Sequence, residues 1–310
     1  MRLTLVAGSG NPSLAAGVAH ELGVSPCERS LLRFPDGELH VEIGETVRGR
    51  DVYVIQPTSH APDERLMELI FLADACRRAG AERLTAVVPY FGYARQDRRA
   101  TGREPVGAAV VAALIEAAGF TRVIAIDLHT PEIEGFFRIP VEHLSAANLL
   151  AAAIRKTSDS VIVAPDFGAI KLAERYRSHL DLPVAAIHKM RVSGSEVSLR
   201  GIIGDVRDRA PIIVDDMITT AGTMETAVKG LLDAGCRPAI SIVATHTLLV
   251  EPAVSRLNAL PLRQFVGTNT VEPTGTPPMH LEIVNVAPLI ADAIGRLHCG
   301  QSLESILVRA

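Results

Sequence analysis

Short runs rich in valine and isoleucine alternate along the chain with longer segments rich in alanine and leucine. The short runs cover residues 51–55, 84–88, 123–126, 161–163, 184–187, 212–214 and 240–243. The longer segments, which have apolar residues at helical spacing, cover residues 64–79, 107–118, 145–155, 169–178 and 221–234. Continuous apolar strands separated by amphipathic helices are typical of parallel sheets that are buried on both faces. The order of the segments therefore predicts a doubly wound α/β fold.

The length of the chain and a recurring helix ending indicate two domains. The 310 residues exceed what one domain commonly contains. Two predicted helices end in similar phrases, Ala-Gly-Ala at residues 79–81 and Ala-Gly-Cys at residues 234–236, and a predicted strand follows each. Glycine commonly ends a helix in this way because it adopts the left-handed conformation without strain. We expect two α/β domains, residues 1–144 and 145–310, each a mostly parallel sheet flanked by helices.

Composition argues against several classes of partner. Lys and Arg are scattered among Asp and Glu and the formal net charge is −4, so we expect neither a nucleic-acid partner nor an anionic membrane surface. The longest apolar stretches are interrupted well before the ~20 residues that a membrane-spanning helix needs. The apolar run at residues 3–7 is too short for a signal peptide, and we expect it to be a first strand. The four cysteines lack metal-binding spacing, so we expect reduced thiols and a cytoplasmic location.

The segment 211–223, Pro-Ile-Ile-Val-Asp-Asp-Met-Ile-Thr-Thr-Ala-Gly-Thr, is the motif best suited to a ligand. Asp215 and Asp216 stand where a predicted strand ends, which is the edge of an α/β sheet where ligands bind. The turn 219–223 then begins a helix, whose first N–H groups can bind a phosphate. Carboxylates accept hydrogen bonds from sugar hydroxyls but repel phosphate, so the motif predicts a sugar phosphate. The alternative is a strand end with an ordinary Asp N-cap.

Two loops in the first half have side chains suited to a nucleotide. Residues 34–38, Phe-Pro-Asp-Gly-Glu, place a ring and two acids around a turn. Residues 90–99 combine aromatic rings suited to stacking with cations suited to polyphosphate. A plain β-turn and a solvated loop are the respective alternatives. The chain has neither a P-loop motif nor a complete Gly-x-Gly-x-x-Gly, so neither of those two nucleotide sites is supported.

Further polar residues follow other predicted strands. His129 could bind a divalent metal together with phosphate oxygens, or it could be a hydrogen-bonded structural residue. Asp166 precedes a predicted helix and could be a ligand or an N-cap. Lys189 and Arg191 precede a Val-Ser-Gly-Ser segment at residues 192–195. These two cations could close over transferring phosphates in a mobile loop, or they could simply be solvated.

Six sequence blocks together resemble the ribose-phosphate pyrophosphokinases in content, order and approximate spacing. The blocks are residues 11–15, 34–38, 92–98, 103–105, 127–129 with 135–137, and 215–216 with 220–223. The resemblance extends over essentially the whole chain. It implies two tandem phosphoribosyltransferase-like domains of type I. It also implies the reaction of ribose 5-phosphate with MgATP to give phosphoribosyl pyrophosphate and AMP.

The resemblance implies roles for particular residues as well. ATP would be bound by Phe34, Asp36, Gly37, Glu38, Arg95 and Gln96. Ribose 5-phosphate would be bound by Arg191, Asp215, Asp216, Thr219, Thr220, Ala221, Gly222 and Thr223. The magnesium ligands would be His129 and Asp166, and the catalytic cations would be Lys189 and Arg191. The resemblance further implies self-association, because the 34–38 loop of one subunit would reach the ATP site of its neighbour.

Two other functions share parts of this pattern. A catalytically silent regulatory subunit of a synthetase complex would keep the fold, but this chain retains Lys189, Arg191 and His129. A phosphoribosyltransferase, or a transcriptional regulator built on that domain, would share residues 215–223. Neither would need the 90–99 loop or a second α/β half. The sequence therefore favours an enzyme that makes phosphoribosyl pyrophosphate.

Overall fold

A computed structural model describes residues 1–191 and 197–308 of the chain, which form parts of two compact units. The first unit consists of Met1–Ser145, Thr270–Glu272 and Val286–Ala310. The second unit consists of Ala146–Asn269 and Pro273–Asn285. The sequence-based division has one boundary, at 144/145, whereas the chain of the structure returns to the first unit near its C-terminal end.

The first unit is built on a parallel sheet. Its described strands are β1 (Leu3–Ala7), β2 (Arg29–Arg33), β3 (Leu39–Ile43), β4 (Asp51–Ile55), β5 (Arg83–Val88), β6 (Arg122–Ile126) and β7 (Val141–Leu144). Five of them lie in the order β1-β4-β5-β6-β7, and every neighbouring pair is parallel. Strands β2 and β3 form a separate antiparallel hairpin. The central strands are almost wholly buried, as expected for a sheet covered on both faces.

Three of the described α-helices connect strands of the first unit. They are α1 (Pro12–Leu22), α2 (Pro62–Arg78) and α3 (Gly107–Ala117). The side chain of Asn11 caps α1, since its Oδ1 accepts a hydrogen bond from the N–H of Leu14 at 3.0 Å. Gly80 and Gly119 follow α2 and α3 with φ of +88° and +101°, so each chain reversal uses a glycine in the left-handed region.

The second unit contains a larger, mixed sheet. Its described strands are β8 (Ser160–Ala164), β9 (Val184–Arg191), β10 (Val197–Ile203), β11 (Ala210–Ile218), β12 (Ile240–Thr247), β13 (Leu262–Thr268) and β14 (Leu281–Val284). Their order is β10-β9-β8-β11-β12-β13-β14, and only the edge pair β10–β9 among these strands is antiparallel. The helices of this unit are α4 (Ala147–Ala153), α5 (Ile170–Leu180), α6 (Gly222–Asp233) and α7 (Ala253–Asn258).

One further helix, α8 (Ala287–His298), follows the second unit in sequence but belongs to the first. It packs against α1 at a point where Gly17 has no side chain. A Cβ atom at Gly17 would lie 3.1 Å from the Cβ of Ala287, so the two helices approach closely through small residues. This packing explains why the C-terminal segment belongs to the first unit.

The predicted α/β fold is confirmed, and every predicted strand lies within an observed one. The glycine of the second recurring phrase, Gly235, has φ of +83°, as the C-cap interpretation requires. Strands β2, β3, β7, β10, β13 and β14 were not predicted from the sequence. The hairpin strands β2 and β3 are half-exposed, so they lack the continuous apolar run by which the central strands were recognised.

The described part of the chain contains no helix that is long and apolar enough to cross a membrane. All four cysteines are free thiols, and Cys27, Cys76 and Cys236 are buried while Cys299 is exposed. Burial raises the pKa of Cys76 to about 12, so this thiol stays protonated at neutral pH.

Candidate functional site

Three carboxylates gather at one edge of the second sheet. Asp215 and Asp216 lie in β11, and Asp166 follows the end of β8. Strands β8 and β11 are neighbours in parallel register, with Ile213 opposite Val163, so their carboxyl ends emerge side by side. The arrangement agrees with the sequence prediction for this edge of the sheet.

The acids of this cluster are close enough to affect one another. Burial of its carboxyl group is the largest cause that raises the pKa of Asp215 well above its usual range. The charge of Asp216, a side-chain hydrogen bond with Asp216 and the charge of Asp166 raise this pKa further. The backbone N–H of Asp216 donates to Oδ1 of Asp215 at 3.0 Å, which acts in the opposite direction. A group of partly buried acids at a sheet edge suits a ligand that brings hydroxyl donors or a cation.

The turn after β11 leads into α6 without a side-chain cap among the described residues. Ala221 stands at the N-cap position with φ of +58°, in the left-handed region. Thr220 and Thr223 belong to the same turn and are exposed, so their hydroxyl groups are accessible to a ligand. The first turn of α6 therefore presents backbone N–H groups and two hydroxyls to a ligand. This is the arrangement that the sequence predicted for a phosphate group.

Arg256 of α7 contacts this turn through hydrogen bonds and was not among the predicted site residues. Its Nη1 donates a hydrogen bond to the carbonyl oxygen of Thr220 at 2.9 Å, and its Nε lies 3.3 Å from Oε2 of Glu225. A Cβ atom at Gly222 would lie 3.4 Å from the same Nη1. Thirty or more residues separate Arg256 from the turn, so no local pattern pointed to it.

The loop at residues 34–38 is the tip of the β2–β3 hairpin. Phe34 donates its N–H to the carbonyl oxygen of Glu38 at 2.9 Å, and Gly37, with φ of +94°, donates to that of Phe34 at 2.8 Å. Oδ1 of Asp36 accepts from the N–H of Glu38 at 3.1 Å. The side chains of the tip are exposed, and 52% of Phe34 is accessible to solvent. The tight turn thus displays a ring and two acids on the surface.

Arg95 and Gln96 lie in the loop between β5 and α3. Both are exposed, and Gln96 accepts a backbone hydrogen bond from Ala108 at 3.2 Å. A Cβ atom at Gly107 would lie 2.6 Å from Oε1 of Gln96, so the Gln96 side chain occupies space that only glycine leaves open. The start of α3 therefore fixes where this amide is presented.

The aromatic part of the 90–99 loop differs from the prediction. Tyr90 and Phe91 are buried, and the ring of Phe91 packs edge-on against Phe137 with centroids 6.0 Å apart. Their interpretation as stacking surfaces for a base was wrong, because these rings fill the core beneath the loop. Tyr93 is half-buried and its hydroxyl hydrogen-bonds to Asp63. The cations of the loop remain exposed, as expected.

His129 is exposed at the end of β6, in a turn that is hydrogen-bonded on both sides. The N–H of Leu128 donates to Nε2 of His143 at 2.8 Å. The hydroxyl of Thr130 donates to Oδ2 of Asp97 at 3.1 Å. His143 and Asp97 were not among the predicted site residues, since each contacts the turn only through the tertiary fold.

The two predicted metal ligands belong to different units, His129 to the first and Asp166 to the second. Oδ1 of Asp166 accepts hydrogen bonds from the N–H groups of Gly168 at 2.9 Å and Ala169 at 3.3 Å, so the N-cap alternative for Asp166 is observed. Within residues 1–191 and 197–308, no three His, Cys, Asp or Glu side chains form a group that could hold a metal ion.

The predicted catalytic cations lie at the end of strand β9. Lys189 and Arg191 are strand residues, but their side chains lie outside the described part of the structure, as does the 192–196 segment that follows them. Their role stays a prediction from the sequence.

Comparisons with known proteins agree over both halves of the chain. The family model described as the N-terminal domain of ribose phosphate pyrophosphokinase matches residues 3–119. The model described as the phosphoribosyl synthetase-associated domain matches residues 196–309. The ribose-phosphate pyrophosphokinase of Gloeobacter violaceus is 43% identical over 312 residues, which covers 98% of this chain and 93% of the relative. The ribose-phosphate pyrophosphokinase of Bacillus subtilis is 40% identical over 297 residues, which covers 95% of this chain and 93% of that relative.

A solved structure is also similar. The crystal structure of phosphoribosylpyrophosphate synthetase from Mycobacterium smegmatis matches with a TM-score of 0.91 and 38% sequence identity. The match covers 97% of this chain and 100% of the other.

Proposed function

Because this chain belongs to the ribose-phosphate pyrophosphokinase family, it is an enzyme of phosphoribosyl pyrophosphate synthesis, and we propose that the β11 edge binds its ribose 5-phosphate. The reaction transfers the β,γ-diphosphoryl group of ATP to the 1-hydroxyl of ribose 5-phosphate and releases AMP. The relatives are named as enzymes over nearly the whole length of the chain, so the regulatory-subunit alternative has no support.

One observation supports the assignment of ribose 5-phosphate. Carboxylates that accept hydrogen bonds lie at the C-terminal end of β11, and groups that can donate hydrogen bonds to a phosphate follow in the next turn. Asp215 and Asp216 supply carboxylate oxygens for vicinal ribose hydroxyls. The N–H groups and hydroxyls of residues 219–223 supply donors for the 5-phosphate at the start of α6. We assign Thr219, Thr220, Ala221, Gly222 and Thr223 to the phosphate, with Arg191 as an added cation. The assignment accounts for both chemical ends of the substrate.

We assign ATP to the exposed polar loops of the first unit. Arg95 can pair with phosphate oxygens, and Gln96 offers an amide that can bind the nucleotide. The hairpin tip, with Phe34, Asp36, Gly37 and Glu38, offers a ring for the base and carboxylates for hydroxyl or amino donors. We propose that this tip serves the ATP site of a second copy of the chain. Its support is the exposure of Phe34, which a partner would cover.

The acids near the substrate edge can contribute ligands to a divalent cation, although the described side chains alone form no metal site. The charges of Asp216 and Asp166 raise the pKa of Asp215, and a cation beside these carboxylates would offset their mutual repulsion. Magnesium commonly takes one or two carboxylates and completes its shell with water and substrate phosphates. We propose Asp166 and the exposed His129 as residues that hold magnesium. When bound, the metal neutralises charge on the transferring phosphates.

The remaining chemistry is positioning and electrostatic stabilisation by side chains. The 1-hydroxyl attacks the β-phosphorus of ATP, and the bond from that phosphorus to the α-phosphate oxygen breaks as AMP leaves. We propose that Lys189 and Arg191 stabilise the negative charge that develops on the diphosphoryl group. Asp215 and Asp216 orient the ribose so that its 1-hydroxyl faces the phosphorus.

Nucleotide analysis after incubation with ribose 5-phosphate and MgATP tests the reaction. We expect AMP and phosphoribosyl pyrophosphate in equal amounts, and no AMP when ribose 5-phosphate is omitted. Formation of ADP, or no turnover at any phosphate concentration, would overturn the proposal. Two substrate controls test the site itself. 2-Deoxyribose 5-phosphate lacks a hydroxyl that the acids would bind, and ribose lacks the phosphate. Each should have a KM about ten-fold or more above that of ribose 5-phosphate.

A further inference from the structure

His143 joins two segments of the first unit through its imidazole ring. It lies in β7 and only 5% of it is exposed. Its Nε2 accepts a hydrogen bond from the backbone N–H of Leu128 at 2.8 Å. Its Nδ1 lies 2.9 Å from Oε1 of Glu134, in the short 3-10 helix Pro131–Phe136. The ring therefore bridges a carboxylate and the turn that carries His129.

These two contacts fix the protonation of the ring. A backbone N–H can only donate, so Nε2 must present a lone pair to Leu128. The ring proton then resides on Nδ1, where it donates to the carboxylate of Glu134. The imidazolium form would direct a second N–H against the N–H of Leu128, so the geometry requires the neutral Nδ1–H tautomer.

The turn that donates this hydrogen bond, through the N–H of Leu128, has an unusual backbone. Asp127 has φ of +37°, a region that non-glycine residues seldom adopt. Its N–H donates to the carbonyl oxygen of Leu144, beside His143 in β7, at 3.0 Å. Such a conformation persists only where surrounding contacts enforce it. The hydrogen bonds from Leu128 to His143 and from Thr130 to Asp97 support the turn on either side of His129.

We propose that His143 is a positioning residue that fixes, through Nε2, the direction in which His129 faces the metal–nucleotide complex. The inference rests on the proposed function, because that function assigns His129 to magnesium. His143 does not touch the substrate. Its part is to satisfy a buried N–H and so hold the Asp127–Thr130 turn in one conformation before the nucleotide binds. Groups that orient a metal ligand commonly change metal affinity 10–100-fold when they are removed.

Two amide substitutions separate the functions of the two ring nitrogens. His143→Gln can place its side-chain oxygen where Nε2 stands, so it keeps the acceptor for Leu128. His143→Asn can place its amide N–H where Nδ1 stands, so it keeps the donor to Glu134 but loses that acceptor. Glu134→Gln is the control, since it retains an acceptor for Nδ1 and a side chain of the same size.

The affinity test uses the full chain and the magnesium complex of α,β-methylene-ATP, whose α–β bridge cannot be cleaved. We expect His143→Asn to raise its Kd, measured by isothermal titration calorimetry, about ten-fold or more. His143→Gln and Glu134→Gln should stay within about three-fold of the parent. The Kd for ribose 5-phosphate should be unchanged in all three variants, which shows that the second unit is intact. Equal Kd values in all variants, or equal weakening by Gln and Asn, would overturn the proposal.

A spectroscopic test does not depend on nucleotide binding. In protein with ¹⁵N-labelled histidine, the ring signals that disappear in His143→Asn belong to His143. We expect them to show the neutral Nδ1–H tautomer, and the Nε2–H tautomer or an imidazolium would overturn the proposal. His129→Ala separates this inference from the proposed function. If that variant leaves the nucleotide Kd unchanged, the link from His143 to the metal is refuted, whereas AMP formation by the parent keeps the proposed function.

Discussion

The backbone N–H of Asp216 donates a hydrogen bond to the side chain of Asp215 at 3.0 Å, and the two carboxyl groups also interact directly. One such hydrogen bond favours the ionised form, but burial and the neighbouring acids disfavour it more strongly. The pair is therefore held in an electrostatically unfavourable state without a ligand. Perturbed pKa values of this kind are common at sites that bind ligands. The unfavourable ionisation of Asp215 also predicts an effect on stability.

We expect Asp215→Asn to increase the free energy of unfolding at pH 7 while it weakens ribose 5-phosphate binding. The folded protein raises the pKa of Asp215, so ionisation penalises the folded state, and this penalty is complete above the folded pKa. The gain should be on the order of 1 kcal/mol and should shrink as the pH falls toward the ordinary value of 3.8. Urea unfolding at several pH values measures it.

The exposed Asp233→Asn is the matched control for this substitution, and it should leave stability unchanged. A loss of stability in Asp215→Asn at pH 7, or a gain that grows as the pH falls, would contradict the account of the carboxylate cluster.

We expect Arg256→Gln to raise the KM for ribose 5-phosphate about ten-fold and to leave its kcat within about two-fold. The guanidinium donates a hydrogen bond to the Thr220 carbonyl and adds a positive charge beside Gly222. Its loss therefore weakens the proposed phosphate site at residues 219–223 without changing the groups that contact the reacting atoms. Steady-state kinetics with each substrate varied in turn measures the effect. The exposed Arg263→Gln on β13 should change neither constant, and an equal rise of the KM for ATP in Arg256→Gln would argue for general damage.

We expect Gly107→Ala to raise the KM for ATP roughly five-fold with little change in stability. The new methyl group would lie 2.6 Å from Oε1 and 3.1 Å from Cβ of Gln96, so the amide must move from its place at the start of α3. Gly295→Ala is a fair control, because that glycine lies in α8 and no described atom outside the adjoining helix backbone comes within 4 Å of the added methyl. Unchanged ATP kinetics in Gly107→Ala would remove Gln96 from the proposed ATP site.

We expect Lys189→Ala to lower kcat by on the order of 10² to 10³, as the loss of one preorganised donor commonly does. Ribose 5-phosphate binding should remain measurable by calorimetry, because this variant does not change the proposed phosphate site at residues 219–223. Rapid-quench analysis of AMP formation isolates the transfer step from product release. Normal turnover would exclude Lys189 from the mechanism.

The sequence predicted those parts of the structure whose causes are local. Buried parallel strands such as β6 and β8 contain a continuous apolar run, and the glycines that end α2 and α6 follow directly from backbone geometry. The carboxylates and the Thr/Gly turn after β11 were found for the same reason, since strand, acids and helix start are contiguous.

The parts that the sequence did not predict depend on contacts between distant segments. Arg256 reaches the substrate turn from α7, and His143 reaches the 127–130 turn from β7. The position of α8 depends on its contact with Gly17. Tyr90 and Phe91 looked like a stacking surface because only the tertiary structure shows that they are buried. No local pattern of residues contains this information.

A crystal structure of the protein with bound ribose 5-phosphate would show directly whether the C-terminal end of β11 and the turn that follows bind this substrate. We expect phosphate oxygens within hydrogen-bond distance of N–H groups in residues 219–223, and ribose hydroxyls on the carboxylates of Asp215 and Asp216. Ribose 5-phosphate bound elsewhere on the chain, or bound at this edge with its phosphate against the two acids, would refute the assignment.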